Sequence, residues 1–165
     1  ELINYCDHSA SPIGRFVVDL HLKEKNENKE FIYQGCDDLC NALQILNHIQ
    51  DCKDDFINLN RIYIPIDFFK KEHLLPEAFL DEKNRIKFLK IKNRCLEKVE
   101  VLLRNSKKKI QLIQNPSLKK ETFVIFNIAQ KLTEILKKDD PIKKKLKLSR
   151  IDLIFCFFKG IIGKL

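Results

Sequence analysis

Apolar residues recur every three or four positions over several stretches of this chain, and each stretch reads as an amphipathic helix. The densest carries Leu39, Ala42, Leu43, Ile45, Leu46, Ile49, Cys52 and Phe56, an apolar surface wrapping more than half of the helical circumference. Asp37, just after Gly35, is placed to cap the start of that helix. A second long stretch covers residues 82–105, with Ile86, Leu89, Leu96, Val99 and Leu103 at helical spacing. Asn115 and Pro116 supply a cap and a first-turn proline for a third, which runs to about residue 138. Ser149 and Asp152 make a capping-box start for a last helix, with Gly160 near its end. Residues 59–66 read as extended, and residues 23–29 as a charged, Asn-containing loop. No strand alternation and no repeat is visible. The expected fold class is all-α, with residues 1–165 forming one helical domain.

The polar residues left on the densest helix form a row. Asn47, Asp51 and Asp55 recur every four positions, which stacks them ~6 Å apart along a helix axis. Neither aspartate has a Lys or Arg three or four residues away, so the two face each other as like charges at a cost of roughly 0.2 to 0.5 kcal/mol. Residues 39–50 hold no charged side chain, where roughly four would be expected in a chain that is 33% charged. The row is therefore expected to face a cavity. A hard divalent ion, Mg2+, suits such a site, because it takes one or two carboxylates and completes its octahedron with water and phosphate oxygens. An ordinary ion pair with basic residues of a neighbouring helix is the competing reading.

Read as N-x-x-x-D-x-x-x-D followed by R-x-Y-x-P, the residues Asn47, Asp51, Asp55, Arg61, Tyr63 and Pro65 resemble the second aspartate motif of the squalene and phytoene synthases. Upstream, Y-C-D-H-S-A-S-P-I-G-R from Tyr5 to Arg15 resembles that family's Y-C-x-x-x-A-x-x-V-G segment, with Ile13 in place of Val, and Gln44 also matches. Gln50 departs from the phytoene synthase pattern, where an arginine precedes the first aspartate. Together with N-H-I-Q-D it is closer to the hopanoid-pathway branch, whose members include hydroxysqualene synthase. A tyrosine often found on a late helix of the carotenoid enzymes falls at Leu132.

The resemblance implies an isoprenoid-synthase helical bundle and a Mg2+-dependent reaction on a prenyl diphosphate. The reaction is either presqualene diphosphate to hydroxysqualene or condensation of farnesyl diphosphate to squalene. It implies Asn47, Asp51 and Asp55 as metal ligands. Arg61, Gln44 and Gln50 would be substrate-binding groups, and Tyr5 and Tyr63 would join the two aspartates in the catalytic set. In the hydroxysqualene reading, Gln44 and Gln50 would position water. The family uses two facing aspartate motifs, and of the twelve aspartates here only Asp51 and Asp55 stand four apart. With no Met in the sequence either, the chain reads as a C-terminal part of the enzyme, inactive on its own, with the first motif upstream.

Charge and cysteine usage narrow the alternatives. Residues 1–65 hold 6 basic against 11 acidic side chains, residues 66–165 hold 25 against 12, and the whole carries +8. The lysine runs at Lys107 to Lys109 and Lys143 to Lys147 lack aromatic interleaving or a recognisable nucleic-acid module, so nucleic acid is not an expected partner. A solvated face is the plain reading, and contact with acidic lipid headgroups the other. Residues 151–165 are rich in apolar side chains but too short and interrupted for a membrane span, which leaves packing onto the helical core or a peripheral membrane contact. Cys36, Cys40, His48 and Cys52 are too spread along one helix to enclose a zinc ion. All six cysteines read as reduced packing residues, pointing to a cytoplasmic compartment. His8 and His48 read as polar packing or cavity residues. Two readings from other classes stand beside the enzyme: a relative that kept the fold but acts in protein assembly, and a basic helical binding module. Oligomeric state is not legible.

Overall fold

The computed structural model describes residues 2–21 and 28–165, and its described residues form helices, turns and irregular segments without a strand. The order is α1 (Leu2–Ser9), α2 (Ser11–His21), α3 (Lys29–Gln50), α4 (Cys52–Leu59), α5 (Ile66–Lys71), α6 (Arg85–Ile110), α7 (Pro116–Lys138) and α8 (Arg150–Ile161). Two short 3₁₀ turns precede α6. The chain is all-α, as its patterning predicts.

α3 and α6 form the central pair, α7 packs on α6, α8 on α7, and α1 and α2 lie against α3. The core follows from the apolar faces. Leu39, Ala42, Ile45, Leu46 and Ile49 of α3 meet Phe88, Ile91, Leu96 and Val99 of α6, and Phe126, Ala129 and Leu136 of α7, all buried. Phe56, Phe69, Phe79 and Phe88 form an aromatic cluster that ties α4 and α5 to α6, with the Phe79 and Phe88 centroids 5.1 Å apart and Phe56 edge-on to Phe79.

Local signals place several helix ends as expected. The Asn115 side chain accepts from the backbone N–H groups of Ser117 and Leu118, and Ser149 and Asp152 complete a reciprocal capping box. Residues 60–65 are non-helical between α4 and α5.

Three expectations are corrected. α3 begins at Lys29, so Asp37 sits inside it and does not cap it; its carboxylate instead takes a bidentate grip from the Arg15 guanidinium of α2. A tertiary partner replaces the local cap. Ile86, read as part of the inward face of α6, is 72% exposed, because the buried face follows Arg85, Phe88, Lys92, Leu96 and Val99 and Ile86 lies roughly 100° round the helix from Arg85. The loop expected over residues 23–29 falls mostly outside the described residues, and its last residue, Lys29, opens α3.

Lys92 is a buried cation inside this packing. Its ammonium donates to the carbonyls of Leu136 and Asp139, closing the C-terminal end of α7, where the helix dipole is negative. Burial lowers its pKa, while Asp140 and Asp139 oppose that shift.

Candidate active site

The aspartate row is built on a bend. α3 ends at Gln50 and α4 begins at Cys52, with Asp51 between them at φ −99°, ψ 6°. The i to i−4 ladder nevertheless continues across the junction, since the Asp51 N–H donates to the Asn47 carbonyl at 2.9 Å and the Asp55 N–H to the Asp51 carbonyl at 2.8 Å. Asn47, Asp51 and Asp55 thus remain one turn apart although the helix is not straight. The Arg61 N–H then donates to the Asp55 carbonyl, and Asn60 turns the chain at φ 51°. That left-handed residue swings Arg61 and Tyr63 back beside α3.

At this end of α3 three rings meet. His48 stacks on Tyr63 with centroids 4.0 Å apart and planes 16° from parallel, and Tyr5 of α1 lies 6.0 Å from each of them. Arg61 donates to the Tyr63 hydroxyl at 3.2 Å, a contact that raises the guanidinium pKa further. His48 is buried, which lowers its pKa and favours the neutral ring, while the charges of Asp55 and Asp51 pull the other way. Gln44 lies within 3.3 Å of its Nε2.

The upstream motif holds Tyr5 in place. Asn41 of α3 donates to Asp7 at 2.7 Å and accepts from buried Ser11 at 3.2 Å, clamping α1 and α2 onto α3. A Cβ on Gly14 would lie 2.7 Å from the Cys40 sulfur, so a larger residue there would have to turn that side chain aside where α2 approaches α3. Most of the segment from Tyr5 to Arg15 therefore docks helices, and Tyr5 is the member that faces the ring cluster.

Beside the row runs an open groove of about 440 Å³, lined by Ser9, Ala10, Ile13, Cys40, Leu43, Gln44, Asn47, Gln50 and Leu132. Its walls are chiefly apolar and include Leu132.

The expectation of an enclosed polar row is corrected in two respects. Asn47 is exposed and the hollow beside it is open to solvent. Asp51 has a counterion: Lys145, from the segment between α7 and α8, lies 3.4 Å from Asp51 and 3.1 Å from Asp54. That lysine is 63% exposed, and no cation pairs with Asp55 among the described residues. Gln50, expected to face substrate, donates to the Leu146 carbonyl and anchors the same segment. Neither contact has a signal in the sequence, because the partners lie more than 90 residues apart.

Among the described residues no three His, Cys, Asp or Glu side chains converge on a metal position. The donors present still suit Mg2+. Asp51 and Asp55 give two carboxylates in register, one paired only with an exposed lysine and one without a cation, and Mg2+ needs no more than one or two from the protein. The cysteines do not form a site. All six are free, and burial pushes the thiols of Cys36, Cys52 and Cys95 up to about 12, which makes them inert at neutral pH.

The squalene/phytoene synthase family profile matches residues 1–152. Hydroxysqualene synthase of Sinorhizobium fredii is 35% identical over 93% of this chain, that of Zymomonas mobilis 33% over 99%, and that of Rhodopseudomonas palustris 31% over 96%. The chain spans about half the length of these relatives, between 51% and 54%. Enzymes of this kind are typically Mg2+-dependent and bind prenyl diphosphates. The chain belongs to the squalene/phytoene synthase family, and the ring cluster, the aspartate row and the groove all fall within the matched residues.

Proposed function

We propose that the full-length protein is a Mg2+-dependent enzyme that ionises presqualene diphosphate and lets water capture the cation, giving hydroxysqualene. The observation that carries this reading is that Asn47 of the aspartate row and Gln44, which lies against His48 of the ring cluster, both line an apolar groove. The names of the three relatives support the product assignment.

Each residue has a task that follows from its chemistry. Asp51 and Asp55, with the amide oxygen of Asn47, are the groups that would hold Mg2+. When bound, the ion supplies Lewis-acid stabilisation of the charge growing on the departing diphosphate. Arg61 carries a permanent cation for phosphate oxygens, and its hydrogen bond to Tyr63 fixes both groups on one side of the row. The faces of Tyr5 and Tyr63 offer a cation the negative side of an aromatic ring without offering it a nucleophile. The apolar groove suits an isoprenoid tail and limits stray water. The amide of Gln44 on its wall could hold one water for capture, whereas Asn47 is assigned to the metal and the amide nitrogen of Gln50 is already engaged.

The test is product analysis. Full-length protein is incubated with presqualene diphosphate and Mg2+, without a reductant, in water labelled with heavy oxygen. The expected product is hydroxysqualene carrying the solvent oxygen. A hydrocarbon product, or an alcohol without the label, contradicts the reading.

A further inference from the structure

α8 is apolar on two opposite sides. Its inner side meets α7 so closely that a Cβ on Gly160 would lie 2.5 Å from the Val124 backbone nitrogen, and Cys156 is buried beside it. Its outer side carries Ile151, Ile154, Phe155, Phe158 and, just past the last turn, Ile162. These positions are spaced three, four, seven and eleven residues from Ile151, so on a helix they form one stripe about 100° wide. All five are more than half exposed, from 57% at Ile154 to 79% at Ile151. A solvated helix would carry charge on that side.

The charges border the stripe instead. Residues 143–165 hold seven basic side chains and one acid. The acid, Asp152, is already engaged by the Ser149 cap and by Lys131. Lys143, Lys144 and Lys145 pair with acids on neighbouring elements. Lys147, Arg150, Lys159 and Lys164 have no acidic partner among the described residues. An apolar ridge edged by unpaired cations is complementary to a surface that is negative outside and hydrocarbon beneath. The exposed apolar residues Ile13, Phe16 and Leu20 on α2 lack this charge pattern, since their neighbours Arg15 and Asp19 are each paired with an opposite charge. No helix among the described residues is long and apolar enough to cross a membrane.

We infer that α8 is a membrane-docking helix. It lays Ile151, Ile154, Phe155, Phe158 and Ile162 into the interface of an anionic bilayer while Lys147, Arg150, Lys159 and Lys164 contact acidic headgroups. The inference goes beyond the catalytic assignment and does not depend on it. Docking at α8 puts the protein on the phase in which long isoprenoids dissolve.

Co-sedimentation of the full-length protein with vesicles tests it. The probe is phosphatidylcholine mixed roughly 2:1 with phosphatidylglycerol, compared with pure phosphatidylcholine. Binding is expected to the mixed vesicles and to weaken with salt. Phe155→Ser/Phe158→Ser and Lys147→Glu/Lys159→Glu should each lower partitioning roughly tenfold or more. Phe155 and Phe158 are exposed, and thermal melts matching the parent's would show that the variants fold. A Phe155→Trp variant, placed in a segment that has no tryptophan, should show added emission that shifts to the blue only when mixed vesicles are present. Asp51→Asn should bind vesicles as the parent does, which separates this test from that of the active site. Several results overturn the inference: no binding by the parent, binding that survives the serine pair, or emission from the introduced indole that is already blue-shifted in buffer because another part of the protein covers it. A dimer that the serine pair converts to monomer does so too.

Discussion

His48 shows how much a single residue's position decides. Burial holds its pKa below the unfolded value of about 6.5, with Asp55 and Asp51 offsetting part of the shift. The unfolded chain therefore binds the proton more readily. The stability contributed by neutral His48 is fully present above about pH 6.5 and is lost as pH falls through the lower folded value. Denaturant titrations at pH 7.5 and pH 5.5 should show a smaller acid loss for His48→Gln than for the parent. An equal loss in both would remove His48 from the account. Lys145 gives a second prediction. Removing this exposed competitor from Asp51 in Lys145→Ala should lower the Mg2+ concentration for half-maximal activity, by no more than roughly fivefold, since an exposed pair is worth at most about 1 kcal/mol. A large loss of activity would assign Lys145 to substrate instead. Lys92 gives a third: Lys92→Met leaves the carbonyls of Leu136 and Asp139 without their donor and should cost about 1 to 3 kcal/mol in denaturant melts.

At the scale of elements, what is legible in the sequence is what is decided within a few residues. The Asn115 cap with Pro116, and the Ser149 and Asp152 box, are satisfied by neighbours in the chain, so their helices start where the sequence says. The start of α3 escapes a sequence reading for the opposite reason. Asp37 has the chemistry of a cap, but Arg15, 22 residues away, claims it, and α3 continues upstream to Lys29. The spacing of Asn47, Asp51 and Asp55 is legible, and the bend at Asp51 is not, because nothing local marks it. The counterion on Asp51 and the engagement of Gln50 come from the segment after α7, which only the tertiary structure brings near. The helix junctions make their own predictions. Asn115→Ala should cost about 1 kcal/mol in denaturant melts through the lost cap. Gly160→Val should destabilise by about 1 to 3 kcal/mol in the same measurement, because its Cβ would meet the Val124 backbone.

For the whole molecule, the matched family, the ring cluster and the groove all converge on the end of α3 where the aspartate row sits. The chain spans about half the length of its relatives, so the proposed turnover is tested on the full-length protein. Asp51 and Asp55 are proposed to grip Mg2+ against a diphosphate leaving group. The measurement that tests it most directly is Mg2+-dependent diphosphate release from presqualene diphosphate by full-length protein and by Asp51→Asn and Asp55→Asn. The parent should release diphosphate only with Mg2+, and each variant should lose roughly 100-fold or more, the scale set by removing a group that stabilises transition-state charge. Release that persists in both variants, or that needs no Mg2+, contradicts it.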